Sequence, residues 1–461
     1  MKKIITMLLA ICCSYGCTKK LDLKPNTAIV LPETIADFEK ILSYDYMNVT
    51  PGFLQVSADD YFIPSLQDWQ STFLVTTRSA AIWDKDIYHG ERTTLDWNIP
   101  FQNIFYCNSI LDVIKSKNID ADLELKRIKG WALFTRAYSY YNLVSIFSKG
   151  FDETTASTDL GLPLRLSSGV DVILQRSTVK ETYDQILADL NEAGELLQKD
   201  INLDKRTRPS KAAVYAMLAR VYLGMRKYDE AGLNAEKALS IYSKLTDYTT
   251  LSKTSTNAFN FKSDEIIYYT RLDGSYSEFT ISSQSTTYGV NPDIINLYSP
   301  NDLRFPIYFQ KNSLGNYNTK PINSGGAVQS FTGLGTDELF LIKAECLARK
   351  GQTQPSMDVL NQLISTRWGA TATVPSKPYQ NITATSPENA LDQVLLERRK
   401  SLIWRSVRWT DLKRLNLEGR NITITRNVAG TIYSLEPNNP RYVLPIPNDE
   451  IAQSGIQQNI R

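Results

Sequence analysis

The chain has 461 residues, 42% hydrophobic and 22% charged, with a mean hydropathy of -0.27, which excludes a disordered polymer and a bundle of membrane spans. Lys+Arg 51 almost balances Asp+Glu 49, so no bulk field draws nucleic acid. The single histidine, His89, excludes zinc sites built from two or three imidazoles, and no P-loop, GxSxG, CxxC or GxGxxG motif is present. His89 lies in Tyr88-His89-Gly90-Glu91, which reads as a turn rather than as the setting of a catalytic base.

Lys2 and Lys3 precede an apolar run from Ile4 to Cys13. Ten helical residues span about half a hydrocarbon core, so this stretch reads as a signal peptide and not as an anchor helix. Ser14-Tyr15-Gly16-Cys17 then resembles a lipobox. Residues 1–16 are expected to be cleaved, Cys17 to be lipidated and residues 17–30 to form a tether. Losing Lys2 and Lys3 brings the balance to 49 against 49. Cys12 and Cys13 leave with the leader, and Cys107 and Cys346, both in helical apolar patterns, are expected as buried free thiols.

Asp22 to Trp97 reads as an irregular region that holds Trp69, Trp83 and Trp97. Trp131, Phe134, Tyr138, Tyr141 and Val144 recur at spacings of three and four, one face of a helix. Thr178 with Glu181 predicts a capping box ahead of the stripe Tyr183, Ile186, Leu190, Ala193 and Leu197. From Lys211 to Tyr242, the residues Tyr215, Leu218, Ala219, Tyr222, Ala231 and Ala238 match the offsets of a tetratricopeptide unit, in which small residues let two helices approach closely. Asp337 to Arg367 repeats the theme around a break at Gly351. Glu265 to Gly335 is a polar, aromatic insertion. The expected fold is mainly α: about four tetratricopeptide-like helix pairs as a scaffold, with large irregular insertions as the working surface.

Ordered motifs along the chain resemble the SusD/RagB family of outer-membrane nutrient-binding lipoproteins. They are Leu21-Asp22-Leu23-Lys24-Pro25, then Trp97, Phe101, Ile104 and Asn108, then Arg136-Ala137-Tyr138 through Leu143-Val144 with Gly161-Leu162-Pro163-Leu164. Pro209 to Leu239, Glu397-Arg398-Arg399, Arg408-Trp409-Thr410-Asp411-Leu412-Lys413-Arg414 and Leu444-Pro445-Ile446-Pro447 complete the series. Ser401, Arg405 and Ser406 stand where the family often has Glu, Glu and Gly, and the chain closes on Gln458-Asn459-Ile460-Arg461 rather than the usual NPGY. The resemblance implies one SusD-like domain over residues 31–461, in an N-terminal segment 31–250 and a C-terminal segment 265–461. It further implies a surface lipoprotein that captures oligosaccharides, less often peptides or glycoprotein glycans. Such a protein passes them to a SusC-like TonB-dependent transporter, without catalysis and without a cofactor.

On that resemblance, ligand contacts are expected from the region before the first tetratricopeptide helices and from the insertion. Aromatic faces suit the flat C–H faces of sugar rings, and the candidates are Trp69, Trp83, Tyr276, Tyr288, Tyr317 and Phe331. Trp97, Trp131, Trp404 and Trp409 read as core. The nine basic residues between Arg398 and Arg426 read as partners for carboxylates on neighbouring helices. A tetratricopeptide adaptor and a glycoside hydrolase with a carboxylate pair are the readings from other classes; no local motif supports the latter.

Overall fold

The computed structural model describes residues 32–91, 94–117, 122–259, 263–276, 285–322, 329–371 and 373–461. The leader, Cys17 and the tether of residues 17–30 lie outside the described residues. Ten helices carry the framework: α1 (Ile35–Leu42), α2 (Leu95–Lys115), α3 (Leu123–Phe147), α4 (Val179–Leu196), α5 (Lys211–Gly224), α6 (Tyr228–Ile241), α7 (Thr336–Arg349), α8 (Thr353–Ser365), α9 (Pro387–Ser401) and α10 (Arg408–Leu417). From α2 to α8 each helix packs on the next in line, and α9 closes on α7. Among the described residues no helix is long and apolar enough to cross a membrane.

The helix starts follow from local chemistry. The Thr178 hydroxyl accepts the Glu181 N–H at 3.1 Å, and the Glu181 carboxylate accepts the Thr178 N–H at 2.8 Å, the reciprocal box that satisfies two otherwise unpaired donors. Gly351, at φ +77, supplies the left-handed residue between α7 and α8. Small residues permit the α5–α6 approach: Ala212, Ala216 and Ala219 of α5 and Ala231, Ala235 and Ala238 of α6 are all buried.

The helix α3 differs from its sequence pattern. Its stripe predicts one buried face, yet every residue from Gly130 to Phe147 is buried, because α2, α4 and the insertions enclose it. A helix surrounded on all sides needs small or internally paired polar residues around its circumference. Arg136 meets that need by binding Asp189 of α4 twice, at 2.8 and 2.7 Å, and the Asn108 side chain of α2 at 2.8 Å. Cys107 and Cys346 are buried free thiols.

Seven of the nine basic residues between Arg398 and Arg426 pair with carboxylates, as the sequence suggested. Arg414 grips Glu345 of α7 at 2.6 and 2.9 Å, Arg398 binds Asp411 at 2.8 Å, and Arg405 reaches Asp337 at 3.0 Å. Arg399 and Arg408 share Asp59, and Lys400 and Arg420 bind Glu397 and Asp392. Lys413 and Arg426 are the exceptions and bind backbone carbonyls instead.

The Arg220–Glu338 pair joins α5 to α7 through contacts of 3.0 and 2.6 Å inside the core. Glu338→Ala leaves a buried guanidinium without its carboxylate and is expected to cost about 3–5 kcal/mol. A urea titration should show a lower midpoint at unchanged slope. The double change Arg220→Met, Glu338→Leu should recover most of the loss, since it removes both desolvated charges.

Candidate ligand-binding surface

The insertions form a thin layer of short strand pairs over the helices. Tyr61–Phe62 pairs antiparallel with Gly289–Val290, and Phe309–Lys311 with Tyr317–Thr319. These two pairs meet at Gly289, where a Cβ would fall 2.5 Å from the Phe62 ring and 3.1 Å from Asn316 Cβ. Only a residue without a side chain permits this approach. The segment leading to Trp69 and the hairpin carrying Tyr317 are thereby brought side by side.

Trp69 sits on a short helix, Leu66–Ser71, none of whose residues is buried. The Ser65 hydroxyl caps it by accepting the Asp68 N–H at 3.0 Å. The indole N–H donates to the Arg78 carbonyl at 3.2 Å, while the Arg78 guanidinium donates to the carbonyls of Gln70 and Thr72. This strap holds a half-buried indole at a set angle, and Phe73, 84% exposed, stands four residues further along the chain. Tyr317 is also half-buried, its ring edge-on to Phe305 at 5.2 Å and topped by Lys311 at 5.4 Å.

The other four candidates are core residues, and the expectation that they contact ligand is corrected. Trp83, Tyr276, Tyr288 and Phe331 are 1%, 2%, 0% and 1% exposed. The Trp83 indole donates to the Ser57 carbonyl at 2.8 Å. Tyr288 stacks on Trp404 at 5.7 Å and meets Tyr61 edge-on at 6.2 Å. Phe331 stacks on Tyr269 at 5.7 Å beneath the Arg405 guanidinium at 4.3 Å. Tyr276 fills the space beside Gly52 and donates its hydroxyl to the buried Asp96. The absence of a helical stripe does not imply exposure, because irregular segments here build a core of their own.

Sequence reasoning missed Phe73, although its place outside any stripe beside Trp69 was a signal. It also missed a groove of about 340 Å³ lined by Phe101, Phe105, Asn108, Arg165 and Glu450. Phe101 and Asn108 belong to the Trp97–Asn108 motif that carries the family resemblance. Among the described residues no group of three or more His, Cys, Asp or Glu is arranged to hold a metal ion.

Residues 19–223 match a family described as "Starch-binding associating with outer membrane", and residues 242–460 match the SusD family. The chain belongs to the SusD/RagB family. Solved structures agree in fold. A SusD superfamily protein from Bacteroides thetaiotaomicron is 22% identical with a TM-score of 0.73, covering 93% of this chain and 100% of that one. A SusD-like carbohydrate binding protein from Bacteroides vulgatus is 19% identical with a TM-score of 0.68, covering 92% and 97%. A laminarin binding SusD-like protein is 19% identical with a TM-score of 0.64, covering 92% and 98%. No curated protein matches the chain. Where the SusD/RagB pattern often has glycine, Ser406 adopts φ 58, the left-handed region that glycine occupies most readily.

The Asp96 carboxyl that receives the Tyr276 hydroxyl also accepts the Phe53 N–H at 2.8 Å. Burial, reinforced by neighbouring Asp273, pushes it up to about 7. A carboxyl raised in the folded state contributes stability that is complete below its unfolded value of about 4 and is lost as pH rises through the folded one. Wild-type thermal midpoints should therefore fall as pH rises through about 7, and Asp96→Asn should flatten that fall. The variant is expected to be the more stable form at about pH 8.

Proposed function

We propose that this chain is a cell-surface lipoprotein that captures oligosaccharides on the surface around Trp69 and Phe73. It passes them uncleaved to a partner TonB-dependent outer-membrane transporter. Membership of a family described as starch-binding and outer-membrane-associated supports the setting, and the observation that carries the reading is the strapped Trp69 platform. An indole held by its own N–H and by the Arg78 strap loses little freedom when a sugar stacks on it, so the cost of ordering the site falls largely on folding. Asp68, Gln70 and Asn316 flank the aromatics with polar groups suited to hydroxyls, which leave a deficit if desolvated unpaired. Shallow stacking with a few hydrogen bonds implies micromolar to millimolar affinity, about -8 to -4 kcal/mol.

A glycan and peptide array should select oligosaccharides, and the mass of the best ligand should be unchanged after incubation with the protein. Calorimetry of Trp69→Ala is expected to show a loss of roughly 1–3 kcal/mol, by analogy with bases stacked on aromatic side chains, at a nearly constant thermal midpoint. Trp83→Ala should do the reverse, lowering stability by about 3–5 kcal/mol. Undiminished glycan affinity in Trp69→Ala would move the site elsewhere, and selection of peptides alone would replace the sugar with a peptide.

The lipid anchor follows from the leader and from Gly16 ahead of Cys17. Each buried methylene contributes about 0.8 kcal/mol, so several acyl chains hold a protein to the membrane almost permanently. Cys17→Ala should leave the outer-membrane fraction and lose acyl labelling. Retention with labelling in that variant would count against Cys17.

A further inference from the structure

A cavity of about 400 Å³ opens between the end of α3, the second half of α10 and the closing segment of the chain. We propose that it binds a small carboxylate-bearing molecule, with Lys413 as the counter-charge. Trp69 is not among the residues that line it, so the assignment stands apart from the oligosaccharide reading.

Lys413 lines this cavity and is only 7% exposed. Its ammonium donates to the carbonyls of Ser145 and Ser148 at 2.8 and 2.7 Å. The third N–H finds no partner among the described residues. The acids nearest in sequence are committed elsewhere: Asp411 binds Arg398 and Arg414, and Glu418 binds Arg349. At the rim the charges cancel, since Asp159 binds Lys149 at 2.6 Å and Asp152 binds Arg226 at 3.0 Å. One buried ammonium remains without a carboxylate partner, on a residue that lines a space large enough for a small molecule.

Two further observations agree. The hydroxyls of Ser145 and Ser148 are buried without a partner, and Ser145 shares a small adjoining void with Lys413, so the region offers more polar capacity than the protein uses. Burial alone pushes the Lys413 amine down to about 7, and an anion beside it would hold it charged. The remaining walls include Leu417, Tyr442 and Val443, with Asn438 and Asn439 also lining the cavity. That combination suits a ring or short side chain carrying one carboxylate, whether an acidic sugar or a peptide-type acid.

The test is calorimetric titration of the full chain in detergent with glucuronate, N-acetylalanine and glucose, at about pH 6 to keep the amine protonated. At least one of the two acids should bind and glucose should not. Binding of glucuronate alone names an acidic sugar, and of N-acetylalanine alone a peptide-type acid. Lys413→Gln keeps amide donors for the two carbonyls but removes the charge, and should weaken the acid on the order of ten- to a hundredfold. Ile460→Asp, at an exposed rim position, should weaken it several-fold by repulsion without touching Lys413, and Trp69→Ala should leave it unchanged. An equal response to all three probes, no response to any, or wild-type affinity for the acid in either Lys413→Gln or Ile460→Asp overturns the assignment.

Discussion

Pairing between buried arginines and carboxylates is the constraint on which the other packing depends. The helix α7 presents Asp337, Glu338 and Glu345, all buried, and each faces a guanidinium from another element: Arg405, Arg220 and Arg414. Apolar side chains would let α5, α7 and α10 slide by a turn at modest cost. A desolvated ion cannot slide away from its partner without losing several kcal/mol. The bidentate fork adds direction to that penalty. Asp59 extends the scheme to the N-terminal region, because Arg399 and Arg408 converge on it and tie an irregular segment to the C-terminal helices.

The insertions obey a related rule with different partners. Irregular backbone lacks a ladder for its carbonyls, yet buried carbonyls need donors. Arg426 supplies them, reaching Ala81, Tyr61 and Ala58 at 2.8, 2.7 and 2.6 Å while its guanidinium lies 3.6 Å over the Tyr61 ring. Trp83 is part of the same cluster, with Arg426 at 5.5 Å. Aromatics in these loops are thus largely consumed in covering a cation and its carbonyls. Trp69 escapes because its helix contributes no buried residue, which leaves an aromatic surface at the outer edge of the layer.

This division leaves two features of different character. One is the aromatic surface of Trp69 and Phe73 at the edge of the strand layer, of the kind on which the flat C–H faces of sugar rings stack weakly and reversibly. The other lies where α3 ends against α10 and retains a cation that the arginine network leaves without a carboxylate. Both lie on connecting segments or helix ends, where change disturbs a stack of helix pairs least.

Much of the framework was legible in the residues. Stripes such as Tyr183, Ile186 and Leu190, the Thr178–Glu181 box and the break at Gly351 act over a single turn or a few residues, so local sequence determines them. The ordered motifs also placed the chain in its family, and the basic run from Arg398 was readable as paired because so many arginines rarely remain unpaired in a helical core. The candidate ligand surface was less legible. Trp69 and Trp83 look alike in sequence, each an isolated tryptophan in an irregular region. The Trp83 indole is drawn inward to the Ser57 carbonyl and the Arg426 cluster, whereas that of Trp69 is held at the surface by Arg78. Arg426 lies more than three hundred residues from Trp83, and the two meet only after the helices have stacked. Sequence periodicity determined which residues form helices; burial of the loop aromatics was decided by tertiary contacts, because an irregular segment has no periodicity to declare which side faces the core.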